Sequence, residues 1–282
     1  SQESLFQKFI AATYAMSQHG NERLDIDLDL SSTTMNDQGA TALAKMVQQC
    51  KVSSLKLCIN VIKDDGASAI ARALSKSNLT SLNLLGNNIG RYGNKEGASA
   101  IAAALPNSKL TSLNLAFNYI ADEGASAIAG ALLQSKLTSL ELSSNKIGDA
   151  GASAIGGALS KSKLASLNLS LNNIGDAGAS AIARALPLPH SELTNLDFCN
   201  NVIRDEGASA IAGALPHSKL TSLNLRLNNI GDAGAIAIAG ELPKFKLISL
   251  NLGCNDGISR SARNAIVEAS RQSHNPTIVD FF

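Results

Sequence analysis

At 282 residues the chain is long enough for one large domain or two ordinary ones. It is 45% hydrophobic but only 4% aromatic, with no tryptophan, so the expected core is Leu, Ile and Ala in many small, regular contacts. A net charge of +1, from 24 Lys+Arg and 23 Asp+Glu, lacks the basic surplus of a duplex-binding surface and argues against nucleic acid as the partner.

Residues 1–22 come first and carry Leu5, Phe6, Phe9, Ile10, Thr13 and Met16 at helical spacing. The expectation is an N-terminal helical cap over the edge of whatever follows. A membrane or partner helix is the alternative, against which stands an opposite face that is not basic. SQESLFQKFI lacks the basic-then-apolar layout of a cleavable signal, and no apolar run nears the ~20 residues of a membrane span, so membrane insertion is not expected.

From about residue 25 the chain repeats itself. Leu137, Leu140, Leu142, Asn145, Ile147 and Gly151 recur as Leu164, Leu167, Leu169, Asn172, Ile174 and Gly178, and 164 − 137 gives a period of 27. The same frame starts at Asp25, Val52, Leu79, Leu110, Leu193, Leu220 and Leu247. That makes nine units over 23–270, with 271–282 as a C-terminal cap in which Val279, Phe281 and Phe282 supply a last strand. In L-x-x-L-x-L the two close leucines have period two, so positions +3 and +5 from each start face inward from a short strand. The Asn that follows (Asn60, Asn87, Asn118, Asn145, Asn172, Asn201, Asn228, Asn255) can both donate and accept where the chain turns, forming a ladder. Next comes a helix on which Ala152, Ile155 and Leu159 share a face, with Asp149 expected as its N-cap. One such unit cannot bury its own apolar face, so stacking is obligatory. Strands about 4.8 Å apart and helices about 10 Å thick predict a curved α/β solenoid, with parallel strands on the concave side and helices on the convex side.

L-T-S-L-N-L-x-x-N-x-I-G-D-x-G-A-S-A-I-A-x-A-L, as at 137–159 and 220–242, resembles the ribonuclease-inhibitor subfamily of leucine-rich repeats. The resemblance implies the horseshoe fold and a protein partner. Its uniform 27-residue unit is similar to arrays in secreted effectors of intracellular bacterial pathogens, which implies a host-cell partner and action in a host cytoplasm. The subfamily also contains a GTPase-activating protein, and on that analogy Arg91 or Arg226 would stabilise charge during GTP hydrolysis. A purely structural spacer is the third reading.

Two spacings break the period. Leu79 to Leu110 is 31 residues, so residues 90–97 (GRYGNKEG) hold four extra, and Leu164 to Leu193 is 29, with the surplus around Leu186-Pro187-Leu188-Pro189. Insertions in repeats become surface loops, often on the binding side. Cys50, Cys58, Cys199 and Cys254 show no metal-type spacing, and free thiols in a reducing, cytoplasmic compartment are expected. His190 and His217 hold the same place in adjacent units without a third ligand repeating beside them, and no cysteine has a histidine in frame. Neither an enzyme nor a cofactor is expected.

A partner must therefore be read by side chains. Positions +2 and +4 are mostly Ser and Asn, with Lys56, Glu141 and Asp197 as exceptions at +4. Positions +6 and +7 vary, reading Cys58-Ile59, Leu85-Gly86, Ala116-Phe117, Ser143-Ser144, Ser170-Leu171, Cys199-Asn200, Arg226-Leu227 and Gly253-Cys254. Variation confined to one strip of near-identical units is not demanded by the fold. The candidate partner-binding set, on the concave face and its flanking loops, is Lys56, Cys58, Ile59, Leu85, Glu141, Leu171, Asp197, Cys199, Arg226 and Leu227, with Arg91, Tyr92, Phe117 and Tyr119 grouped around the inserted loop. A monomer is expected.

Overall fold

The computed structural model describes residues 26–49, 51–272 and 277–281. Cys50, His19, His274, Phe282 and the expected 1–22 cap lie outside the described residues. The chain divides into two compact units, one ending at Glu141 and one starting at Leu142.

In the first unit, strands β1 (Ile26–Asp29), β2 (Val52–Lys56), β3 (Ser81–Asn83), β4 (Ser112–Asn114) and β5 (Ser139–Glu141) pair in chain order, all parallel. Helices α1 (Asp37–Gln49), α2 (Asp64–Leu74), α3 (Glu96–Ala104) and α4 (Ala121–Leu132) alternate with them. The second unit opens on helix α5 (Asp149–Leu159). It continues with β6 (Ser166–Asn168), α6 (Asp176–Ala185), β7 (Asn195–Asp197), α7 (Asp205–Ala214), β8 (Ser222–Asn224), α8 (Asp232–Glu241), β9 (Ser249–Asn251), α9 (Arg260–Gln272) and β10 (Ile278–Asp280). Its five strands are again parallel neighbours in order. The last strand expected near Val279 is β10, whose Val279 sits opposite Leu250.

Register follows the repeat. Ser54, Leu55 and Lys56 face Ser81, Leu82 and Asn83, and the same offset holds from strand to strand. The +3 and +5 leucines are buried throughout, Leu55, Leu57, Leu223 and Leu225 among them at no more than 1% exposure. Each so buried contributes roughly 1.5–3 kcal/mol. From the other side Ala67, Ile70 and Leu74 of α2 close the same core. Gly178 keeps neighbouring units close: a Cβ there would lie 2.7 Å from the Asp149 carboxylate and 2.9 Å from Ala152.

The amide ladder forms as expected. Asn60 accepts from Met35 N at 2.8 Å and donates to Leu30 O and Leu57 O at 3.0 Å each, thereby tying one unit to the next. Asn87, Asn118, Asn172, Asn201, Asn228 and Asn255 repeat the pattern.

The expected N-cap needs correction. Gly148, not Asp149, precedes α5, and no side chain caps that helix from within its own unit. The Asp149 carboxylate instead reaches into the following unit, accepting from Gly175 N at 2.7 Å and Gly178 N at 2.9 Å at the start of α6. Stacking brings the unsatisfied first-turn N–H groups and positive end of the next helix within reach of this carboxylate. Asp37, Asp176 and Asp205 do the same for α2, α7 and α8.

Candidate partner-binding surface

The helix-free edge of each unit begins where the strands end. There the +4 Asn folds its amide oxygen onto the +6 backbone N–H, as in Asn83 to Leu85 at 3.0 Å, Asn114 to Ala116 at 2.9 Å and Asn224 to Arg226 at 3.1 Å. This local cap explains the near-constant Asn column, a role that sequence reasoning missed although the Asn spacing carried the signal. Asp197 performs it for Cys199 N at 2.7 Å and also accepts from Asn224 Nδ2 at 3.0 Å. Lys56 departs from the pattern and is exposed, while Ser31 Oγ takes Cys58 N at 3.3 Å instead.

Position +7 has the left-handed backbone in each unit. Ser32, Ile59, Gly86, Phe117, Ser144, Leu171, Asn200, Leu227 and Cys254 all have φ between 53° and 68°. The cause is the sheet ladder, which continues past the strands: Ile59 N donates to Leu85 O at 2.8 Å, Gly86 N to Ala116 O at 2.9 Å and Leu227 N to Gly253 O at 2.9 Å. For an L-residue other than Gly this conformation costs roughly 1–2 kcal/mol, and it is most foreign to β-branched or bulky side chains. Yet the column holds Ile59 at 62% exposure, Phe117 at 51%, Leu171 at 43% and Leu227 at 38%. The fold gains no burial in return for that strain.

Position +6 is narrower than expected as a recognition column. Cys58, Leu85, Cys199 and Arg226 are half-exposed, whereas Ala116, Ser143, Ser170 and Gly253 are buried. Glu141 is half-exposed at the end of β5.

The inserted loop is pinned at both ends by a single buried side chain. Asp64 accepts from Gly90 N at 3.2 Å and Gly97 N at 3.1 Å. Burial pushes its carboxyl above the ordinary carboxylate range. The Gly97 and Gly90 N–H groups pull the other way, and the charge of Asp37 adds to the rise. Between these anchors Tyr92 stands exposed, its ring 5.2 Å from Lys63 Nζ and 5.9 Å from Arg91 Cζ. Arg91 also donates to Asn88 Oδ1 at 3.1 Å. Tyr119 is half-buried and its backbone N donates to Ile89 O at the foot of the loop. The loop thus joins Arg91 and Tyr92 to the Ile59–Lys63 turn of the preceding unit, a link the sequence did not suggest.

In the second unit Cys199 lies between Asp197 and Arg226. Burial, then the Asp197 charge, pushes its thiol up against the opposing pull of Arg226. His190 and His217 are exposed. Among the described residues no group of three His, Cys, Asp or Glu is placed to hold a metal ion, and no helix is long and apolar enough to cross a membrane.

The family model described as Leucine Rich repeat matches residues 27–44, 107–129, 134–156, 160–183, 192–212 and 217–239. The chain is built of leucine-rich repeats. Among solved structures the repeat protein is similar to an internalin from Listeria monocytogenes, at TM-score 0.54 and 20% identity, with 90% of this chain covered. It spans 58% of the length of that internalin, and at this identity the likeness speaks for the fold alone. A second solved structure, actin-binding site 2 of leiomodin-1, has a TM-score of 0.41 at 19% identity, covering 63% of this chain and 87% of its own. Nothing among the curated proteins matches the chain. The fold is an α/β leucine-rich-repeat solenoid, an architecture typical of protein-interaction scaffolds.

Proposed function

We propose that this repeat protein binds a partner protein through its helix-free edge, with the +7 side chains as apolar anchors. The observation that carries this reading is the combination of strain and exposure at Ile59, Phe117, Leu171 and Leu227. Large apolar side chains kept in water on a backbone that favours Gly or Asn contribute nothing evident to folding, whereas an interface rewards them. The near-verbatim 27-residue unit, with its resemblance to secreted bacterial effectors, supports a finer reading in which the partner comes from a host cell and is met in its reducing cytoplasm. Cys58, Cys199 and Cys254 stand as free cysteines, in keeping with that compartment.

Asn200 occupies the same left-handed position at φ 55°, so Asn is the natural replacement in the column. The test replaces Ile59, Phe117, Leu171 and Leu227 with Asn and compares crosslinked capture from host-cell lysate with that of the unaltered chain. The expected outcome is loss of a captured species together with a melting temperature that is equal or higher. Capture that persists, or a large fall in melting temperature, would overturn the reading, because the side chains would then belong to the fold.

A further inference from the structure

We infer that the turn edge of the first unit is built to seat an acidic segment carrying one apolar side chain, which enters a gap over Gly86. This deepens the partner-binding reading above and rests on it.

The gap comes from the repeat itself. Ile59, Gly86 and Phe117 are the +7 residues of three successive units, and neighbouring strands lie about 4.8 Å apart, so the two large side chains flank the glycine at about 10 Å. Backbone bonds from Ile59 N to Leu85 O and from Gly86 N to Ala116 O hold the three positions in that order. A Cβ placed on Gly86 would have its three nearest neighbours all in Ile59, at 3.5, 3.5 and 3.6 Å, which is ordinary contact distance. The position has room for a side chain and carries none. An apolar side chain from a partner would take that place, against Ile59.

Charge selects what surrounds that group. The strand-to-helix segments 58–63, 85–95 and 116–121 hold Lys63, Arg91 and Lys95 and no Asp or Glu, the acids beginning with the helices at Asp64, Asp65, Glu96, Asp122 and Glu123. Lys95 is paired with Glu123. Lys63 and Arg91 are in no ion pair among the described residues, and both lie against the Tyr92 ring. Asp64, next to Lys63 in sequence, is buried and engaged by Gly90 and Gly97. Lys56 adds a third exposed cation on β2. The edge thus presents an apolar gap and, on the same strand-to-helix segments, two unpaired cations against an exposed aromatic, complementary to a segment with carboxylates near a Leu- or Phe-like residue.

A displayed library of random peptides, selected on the full chain, tests this directly. The enriched peptides should share an apolar residue next to Asp or Glu. Their binding should weaken roughly tenfold or more in Gly86→Asn, which fills the notch with a residue that tolerates the backbone, as Asn200 does. Lys63→Glu with Arg91→Glu should weaken it comparably, and added salt should weaken binding to the unaltered chain. Ile236→Asn, at an exposed position on α8 outside the +7 column, should leave it unchanged.

Enriched peptides without carboxylates, or no enrichment at all, would overturn the acidic-segment inference. Peptides lost only when Leu171 and Leu227 are replaced with Asn would overturn it while leaving partner binding at the +7 column standing. Self-association in sedimentation velocity that vanishes in Gly86→Asn would overturn it in favour of a second copy of the chain. Partner binding as such is judged by the lysate capture above, so the two can fail separately.

Discussion

The two units obey the same rules and differ only where those rules leave freedom. Each has five parallel strands, the same buried leucines, the same Asn ladder and the same Asp reaching to the next helix. Along the +7 column the first unit sets Ile59, Gly86 and Phe117 beside a loop with Arg91 and Tyr92. The second sets Leu171, Asn200 and Leu227 beside Asp197, Cys199 and Arg226. One edge has a glycine gap with unpaired cations on its strand-to-helix segments, and the other has two leucines flanking an Asn among groups of both signs. Residues that make ladder hydrogen bonds cannot vary without breaking a contact to the next unit. The side chains beyond the ladder can, and individuality collects there.

That comparison predicts its largest effects where the units agree. Asn87→Ala and Asn228→Ala each orphan one buried N–H and take one of two amide donors from each of two buried carbonyls. At about 1–3 kcal/mol for the orphaned N–H and about 0.5–1.5 kcal/mol for each lost bond, each should lose at least about 2 kcal/mol in urea denaturation, similarly in both units. Unequal losses would mean that the ladder is not equivalent along the chain.

Asp64 sharpens the contrast, because it holds the inserted loop as well as a helix start. Asp64→Ala should cost about 1–3 kcal/mol and impair peptide binding at the notch, whereas Asp176→Ala should cost a similar amount and leave that binding alone. Asp64→Asn retains an acceptor and removes a buried charge. Since the folded state raises this carboxyl, it holds the proton more tightly than the unfolded chain. The stability contributed there therefore falls as pH rises from the ordinary carboxylate value through the folded one, and is level above it. Stability measured across that range should show this decline in the unaltered chain and not in Asp64→Asn.

A smaller effect has an unusual sign. Ile59→Asn, at the β-branched residue of the left-handed column, should raise stability by up to about 1 kcal/mol, with Leu227→Asn gaining less, as read by the denaturation midpoint. A loss at either would reveal packing for these side chains. Smallest of all, Lys219→Ala breaks an exposed pair with Glu192 and should change stability by less than about 0.5 kcal/mol.

By itself the sequence determined the architecture. A 27-residue spacing of leucines at period two, an Asn and a helical Ala/Ile stripe admits one way of burying the apolar faces, so strand, turn, helix, register and core followed from pattern alone. The variable column at Ile59, Phe117, Leu171 and Leu227 was legible for the same reason, since difference shows best against repetition. Only the tertiary structure decided what depends on neighbours in the stack: that Asp149 serves the following helix, that the +4 Asn caps position +6, that +7 is left-handed, and that Tyr92 sits against Lys63. Each joins residues brought together by stacking or by local backbone shape, and neither quantity appears in the order of letters along one unit.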